Sequence, residues 1–186
     1  ATQATYLALN AAQAYAVTLG DVNGDGKLDI VVGNSSGSNG SRLLGNGDGT
    51  FQGSESFTVG GAQRSVALGD VNGDGKLDII TANYASDNVS VLLNTTVSGS
   101  TTPTFAAQAS PTTGSGSEPY SVTLGDVNGD GKLDIITANK DDDTASVLLG
   151  NGNGTFQARQ TFATGRLPYS VSLEDLNQDG KPDLAV

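Results

Sequence analysis

Hydrophobic and polar residues follow one pattern that recurs four times along the chain. Each recurrence opens with a segment in which apolar and polar side chains alternate, which predicts a half-buried strand. A short polar loop follows, and then a run of apolar residues that predicts a buried strand. The opening segments read YAVTLGD, RSVALGD, YSVTLGD and YSVSLED, and the buried ones read LDIVVGN, LDIITAN twice, and PDLAV.

Two further strands are predicted in the first three units. A leucine pair lies 14 residues after the last loop aspartate, at 43–44, 92–93 and 148–149. In the first and third units a turn rich in glycine and asparagine then leads to a fourth strand, beginning at Phe51 or Phe156. Four short strands joined by tight turns predict a small antiparallel sheet in each unit.

The spacing of the units predicts how these sheets are arranged. The repeated loops start 49, 56 and 49 residues apart, a period typical of stacked repeat folds. One small sheet cannot bury both of its faces, so successive sheets must stack. We therefore predict an all-β, β-propeller-type array with three complete blades (14–62, 63–118 and 119–167) and a partial fourth (168–186).

The loop between the first two strands carries the candidate chemistry. DVNGDGKLDI occurs three times, from Asp21, Asp70 and Asp126, and a variant, DLNQDGKPDL, starts at Asp175. Positions 1, 3, 5 and 9 of the loop all bear side-chain oxygens, and the seventh residue is placed to add a backbone carbonyl. Hard oxygen donors in a tightly curled loop suit calcium.

Two other interpretations of these loops fit the sequence less well. Asp-Gly and Asn-Gly are common turn residues, but four copies with every ligand position kept disfavour a plain turn. An EF-hand loop shares the opening but needs an acidic residue at position 12. That position holds Val32, Thr81, Thr137 and Val186. The loop therefore leads into a strand, and the EF-hand is rejected.

Composition limits the classes of partner. The formal net charge is −11, and twelve of the 20 acidic residues are the loop aspartates. Four Ca²⁺ ions would reduce the charge to about −3, so the acidity indicates metal sites. The nine basic residues are scattered, which disfavours nucleic acid. No apolar run approaches the roughly 18 residues of a membrane span.

Other features favour an extracellular location. Open calcium loops fill at extracellular calcium levels. Cysteine is absent, so disulfides give no information. The chain starts at Ala1 without a signal-like segment, which indicates a processed form or a fragment. Five sequons make possible glycosylation sites, namely Asn34, Asn39, Asn88, Asn94 and Asn153.

The second unit departs from the others by seven extra residues. NTTVSGSTTPT precedes Phe105, and ASPTTGSGSEP precedes Tyr120. Segments this rich in serine, threonine, proline and glycine do not form a packed core. We predict that both are exposed, mobile loops.

Together the loop D-x-N-x-D-G-x-x-D, the preceding V-x-L-G-D and the following L-L-G-N-G-x-G-T-F resemble the FG-GAP/VCBS repeat family. This resemblance covers the chain from about Ala14. It implies propeller blades with Ca²⁺ between the first two strands of each. The implied ligands are Asp21, Asn23, Asp25, Lys27 (carbonyl) and Asp29; Asp70, Asn72, Asp74, Lys76 (carbonyl) and Asp78; Asp126, Asn128, Asp130, Lys132 (carbonyl) and Asp134; and Asp175, Asn177, Asp179, Lys181 (carbonyl) and Asp183.

Function is not determined by this resemblance. The chain has no histidine and no cysteine, and most acids belong to the loops, which disfavours an enzyme. The run 141–143 is interpreted as a solvated turn. A lectin-like or cell-adhesion role, with glycans or cell-surface proteins as partners, is the alternative to a structural protein. Tyr15, Tyr120 and Tyr169 share one repeat position, which favours packing between blades over a sugar platform.

The last expectation concerns assembly. The fourth blade lacks a third strand, which leaves an unpaired sheet edge. Residues 1–13 precede the first blade, and their centre, 6–10, resembles the third-strand segment 90–94. We predict that this N-terminal strand fills the vacancy by strand addition. In cis it closes a four-bladed ring; in trans, which we favour, it builds a head-to-tail ring or fibre of identical chains.

Overall fold

A computed structural model describes residues 13–97, 100–106 and 109–186. They form four antiparallel β-sheets, with one 3-10 helix at Tyr84–Ser86. The all-β prediction is therefore confirmed. The described part of the chain contains no helix that is long and apolar enough to cross a membrane.

The first and third sheets are four-stranded meanders. Each pairs its strands in chain order, because short turns join neighbouring antiparallel strands. The first sheet contains β1 (Ala14–Gly20), β2 (Asp29–Asn34), β3 (Asn39–Leu43) and β4 (Glu55–Thr58). The third contains β8 (Pro119–Gly125), β9 (Asp134–Asn139), β10 (Thr144–Leu148) and β11 (Gln160–Ala163).

The second and fourth sheets are smaller. The second sheet has three strands, β5 (Gln63–Gly69), β6 (Asp78–Asn83) and β7 (Asn88–Leu92). In place of a fourth strand, isolated bridges pair Ala109 with Val91 and Thr112 with Asn88. The fourth sheet consists of β12 (Ser172–Glu174) and β13 (Asp183–Ala185).

The hydrophobic core lies between consecutive sheets. One apolar cluster joins the first sheet to the second, a second cluster joins the second to the third, and a smaller one reaches the fourth. The first strands β1, β5, β8 and β12 also pack side by side in this order. The sheets therefore stack in chain order, as the repeat spacing predicts.

Glycine at the end of the first strand permits this close stacking. A Cβ on Gly20 would lie 2.6 Å from Leu68 Cδ1 and 2.8 Å from Leu77 Cδ1, both in the next unit. Gly69 has the same relation to Leu124, at 2.6 Å. A side chain at these positions would force the leucines of the next unit to shift.

The predicted starts of the fourth strands, Phe51 and Phe156, are wrong. Both residues form isolated bridges, with Gly45 and Gly150, and regular pairing resumes only at Glu55 and Gln160. The register shifts by one residue between the bridge and the strand, which is a β-bulge. Side-chain pattern alone does not reveal such an extra residue.

The prediction of an exposed loop before Tyr120 is also wrong in part. Thr113 and Ser117 are fully buried, and their hydroxyls hydrogen-bond to each other at 2.7 Å. The amides of Gly116 and Glu118 donate to the Asp87 carboxylate at 2.7 and 3.0 Å. Polar contacts thus order a segment whose composition indicates mobility.

The predicted N-terminal strand cannot be compared with the structure. Residues 1–12, including the 6–10 segment, lie outside the described residues. Among the residues that the structure describes, β13 pairs with β12 alone. Strand addition at this edge stays a prediction.

Candidate metal-binding loops

The loop between β1 and β2 curls around the Asp21 carboxylate. Asp21 Oδ1 accepts hydrogen bonds from the amides of Gly24 at 2.7 Å and Asp25 at 3.1 Å, and Oδ2 accepts from Gly26 at 2.7 Å. Gly24 and Gly26 have φ values of 77° and 81°, which favour glycine. The loop conformation therefore depends on both the first aspartate and the two glycines.

The next two repeats reproduce this arrangement. Asp70 accepts from Gly73 and Gly75, and Asp126 accepts from Gly129 and Gly131, each at 2.7 Å. Hydrogen bonds from backbone amides, that of Gly131 foremost, lower the pKa of Asp126. These aspartates are therefore ionised at neutral pH, as a calcium ligand must be.

The aspartate at position 9 has a second role that sequence reasoning missed. Asp29 is fully buried, and its carboxylate accepts hydrogen bonds from Val22 N at 2.9 Å and Gly45 N at 2.8 Å. Asp78 makes the same pair of bonds, to Val71 N and Asn94 N. This side chain thus joins the loop to the end of the third strand in its own sheet.

Burial shifts the pKa of these two carboxyls upward, in the direction opposite to the shift at Asp126. It raises the pKa of Asp29 and of Asp78, while the two backbone amides on each carboxylate oppose the rise. The other loop aspartates raise the pKa further by like-charge repulsion. A cation in the loop would favour the ionised form of every one of these groups.

The donor chemistry of each loop fits a hard cation. Three carboxylates, one amide oxygen and one carbonyl lie within nine residues, with no nitrogen or sulfur ligand. A carboxylate oxygen that accepts one N–H still has a free lone pair for a metal. Among the described residues, however, no three acidic side chains form a preassembled cluster.

A lysine in each of the first three loops forms an ion pair with the aspartate at position 5 of the same loop. Lys27 Nζ lies 3.3 Å from Asp25 Oδ2, and Lys76 and Lys132 make matching contacts of 3.6 and 3.4 Å to Asp74 and Asp130. Both partners are exposed, so each ion pair contributes little to stability. The lysine side chain is thus free to move away from an arriving cation.

The fourth loop keeps most of the arrangement. Asp175 accepts from the amides of Asp179 at 3.0 Å and Gly180 at 2.9 Å. Asp183 accepts from Leu176 at 3.0 Å, but no third-strand amide reaches it among the described residues. Gln178 replaces the glycine of the other loops and has a φ of 63°. The left-handed conformation is costly for glutamine, at about 1 kcal/mol.

We expect Gln178→Gly to stabilise the fourth loop. Removing the left-handed strain at this position lowers the energy of the folded loop by about 1 kcal/mol, with or without a metal ion. Denaturant unfolding in EDTA would measure the gain, with Gln157→Gly as a control outside the loops. A stability unchanged by Gln178→Gly would show that residue 178 is not strained.

A buried asparagine connects the first two loops. Asn94 Nδ2 donates to the carbonyls of Val22 at 2.8 Å and Leu77 at 3.0 Å. It borders a cavity of about 260 Å³ between Asp21 and Asn23 on one side and Lys76 on the other. The first loop is therefore held partly by a residue of the second unit.

The predicted sequons differ in accessibility. Asn34 and Asn94 are buried, and their amide nitrogens donate hydrogen bonds inside the fold. A glycan does not fit at either position in the folded chain. Asn88 is half-buried, whereas Asn39 and Asn153 are exposed. Glycosylation stays a prediction for these accessible positions.

The remaining candidates from the sequence lie elsewhere. Asp141 and Asp142 are exposed in the turn between β9 and β10, as predicted. Tyr120 contacts both Tyr15 and Tyr169 across units. These contacts lie at the surface and not in the core, since Tyr15 is 47% and Tyr169 54% exposed.

Comparison with known proteins supports the repeat assignment. The family model described as FG-GAP-like repeat matches three overlapping ranges, 21–81, 70–137 and 126–186. Together these ranges span nine-tenths of the sequence. No protein of curated function matches the chain.

Solved structures share the fold at low identity. An Agrocybe aegerita lectin that recognises non-reducing terminal N-acetylglucosamine is 21% identical with a TM-score of 0.60, covering 92% of this chain and 46% of the lectin. The V. cholerae biofilm matrix protein Bap1 is 22% identical with a TM-score of 0.53, covering 91% and 23%. The chain thus spans less than half the length of either protein.

Proposed function

Because the chain belongs to the FG-GAP-like repeat family, we propose that it is a non-catalytic, calcium-stabilised module of an extracellular adhesion or matrix protein. The observation that carries this proposal is the repeated loop, in which a carboxylate is held by the same backbone amides in each of the first three units. We interpret the stacked sheets as blades of a propeller.

Calcium would be held by the oxygens at positions 1, 3, 5, 7 and 9 of each loop. The ion would supply positive charge next to three aspartates that otherwise repel one another. The chain's own part is to present those oxygens from a fixed loop and to anchor the loop to the third strand through the ninth residue. Metal binding would in this way stabilise the fold.

The types of side chain in the sequence, and the contacts of the acids outside the loops, support a non-catalytic role. The sequence contains no histidine or cysteine for acid–base or thiolate chemistry. Several acids outside the loops serve the structure: Asp87 binds two backbone amides, Asp143 binds Leu167 N, and Glu55 pairs with Arg42. An extracellular location agrees with loops whose affinity suits millimolar calcium.

Counting the bound ions tests this proposal. Calorimetric titration of metal-depleted protein with calcium is expected to approach four ions per chain, with dissociation constants near ~10⁻⁴ M. Asp74→Ala removes a central ligand and should reduce the number by one. Asp48→Ala, in the exposed turn between β3 and β4, is the matched control and should leave it unchanged. A chain that binds no calcium refutes the proposal.

Self-association is the second part of the proposal, and two apolar surfaces support it. A cavity of about 510 Å³, lined by Ile136, Phe162 and Leu184 among others, opens between the third and fourth sheets. At the other end of the stack, Val17 and Leu19 on β1 are 67% and 56% exposed. We propose that a strand within residues 1–13 of another copy completes the fourth sheet.

Light scattering and electron microscopy on the protein would test this assembly. We expect rings or fibres that dissociate to monomers when residues 1–10 are deleted. Asp48→Ala, in the exposed turn between β3 and β4, serves as the control. Monomers that remain folded with and without the N-terminal residues would rule out strand exchange.

A further inference from the structure

Four tyrosines and two cations from all four units meet at one end of the stacked first strands. Tyr120 lies at the centre, with ring centroids 6.0 Å from Tyr15, 6.0 Å from Tyr84 and 4.8 Å from Tyr169. All three pairs are edge-to-face. The Tyr15 and Tyr120 hydroxyls form a hydrogen bond. We refer to these rings, with Arg64 and Lys140, as the tyrosine cluster.

Arg64 is held inside this cluster, and no acidic side chain among the described residues pairs with it. Its guanidinium carbon lies 4.5 Å from the Tyr15 centroid, 4.8 Å from Tyr84 and 5.6 Å from Tyr120. Arg64 Nε is buried and has no hydrogen-bond partner in the described part of the chain. Ring faces stabilise the charge, but they do not accept this N–H, and an unsatisfied donor on a charged group is costly. Because aromatic rings, and no carboxylate among the described residues, contact the guanidinium, an external acid can still pair with it.

Lys140 adds a second positive charge beside Tyr120 and Tyr84. Its Nζ lies 5.7–6.0 Å from the Tyr84, Tyr120 and Tyr169 centroids. It also pairs with Asp141 at 3.3 Å, where the aspartate is half exposed and the pair is weak. The other acid nearby, Glu118, interacts with Tyr84 and raises the pKa of that phenol. The Tyr84 phenol thus stays protonated at neutral pH.

The tyrosine cluster is separated from the acidic loops. Tyr15 lies at the start of β1, and Asp21 follows its other end. Six extended residues span about 20 Å. That distance is about twice the Debye length in physiological salt, so the loop aspartates are largely screened from the cluster. The overall charge of −11 therefore does not prevent an anion from binding here.

We propose that the tyrosine cluster binds the carboxylate of an acidic saccharide. The planar guanidinium of Arg64 matches a carboxylate through two parallel N–H bonds. The half-exposed rings of Tyr15 and Tyr169 offer an apolar face for a sugar ring and a hydroxyl at its edge. An aspartate in a peptide has the same carboxylate but no ring to cover these faces, so the saccharide is favoured.

Calorimetry with a galacturonate trimer tests this proposal in 1 mM calcium, where the loops are filled. The trimer is expected to bind at least tenfold more tightly than its methyl ester, which is the same sugar without the charge. Arg64→Gln should lower the affinity at least tenfold. Lys140→Gln should lower it less, and it provides a second variant if Arg64→Gln fails to fold.

Arg42→Gln is the matched control. Arg42 also lies over an aromatic ring, that of Phe105, but it already has Glu55 as its acceptor. This change should leave trimer binding unaffected. Equal binding of trimer and ester, or equal loss in Arg42→Gln and Arg64→Gln, would overturn the site. Equal binding of an aspartate trimer would overturn the preference for a saccharide. None of these results affects the number of calcium ions bound, which tests the loops independently.

Discussion

Chelation of calcium with EDTA is expected to lower the midpoint of thermal unfolding by about 10–20 °C. With a dissociation constant near ~10⁻⁴ M and calcium at ~1 mM, each filled loop contributes roughly 1.4 kcal/mol by mass action. Four loops then contribute about 5–6 kcal/mol, and each kcal/mol moves the midpoint of a chain of this size by about 2–4 °C. Circular dichroism or tyrosine fluorescence would follow the transition.

High salt is the control for this experiment. If the aspartates of the empty loops destabilise the fold only by mutual repulsion, 0.5 M NaCl in EDTA would screen them and restore the midpoint. We expect salt to recover a small part of the loss and 1 mM calcium to recover all of it. A midpoint indifferent to EDTA would show that calcium has no structural role.

Asp78→Ala is expected to destabilise the chain by about 3–5 kcal/mol, even without calcium. The change removes a buried carboxylate that accepts the amides of Val71 and Asn94. Each buried amide left without an acceptor costs about 1–3 kcal/mol. Denaturant unfolding in EDTA isolates this part of the effect from the loss of a metal ligand.

Asp183→Ala is the matched control for Asp78→Ala. Asp183 occupies the same position in the fourth loop, but it is partly exposed and accepts only from the loop amides of Leu176 and Asn177. In EDTA we expect it to cost less than ~1 kcal/mol, since solvent can replace those partners. Equal effects of the two substitutions would mean that the link to the third strand has no energetic value.

The parts of the fold that could be predicted from the sequence depend on local patterns. The alternation before each loop and the apolar run after it predict β1 and β2 nearly to the residue, because both signals lie within a few neighbouring positions. The loop glycines indicate the turn for the same reason, since positive φ is a property of single residues.

The parts that could not be predicted depend on partners far along the chain. Thr113 and Ser117 are buried beside Asp87, whose carboxylate binds amides 29 and 31 residues away. The tyrosine cluster contains residues from Tyr15 to Tyr169. No local sequence pattern predicts that Arg64 and Lys140 lie among these rings. The bulge before Glu55 needs the partner strand to define it.

The contacts of Asn94 have a consequence for dividing this protein into parts. The sequence repeats invite cutting the chain between units and grafting one as a portable calcium-binding cassette. Yet the carbonyl of Val22, in the first loop, receives its hydrogen bond from Asn94 in the second unit. In the same way Gly154 N, in the third unit, donates to Val71 O in the second loop. A cassette cut at the repeat boundary would lose that donor, so the smallest transplantable piece is a loop together with the whole unit that follows it.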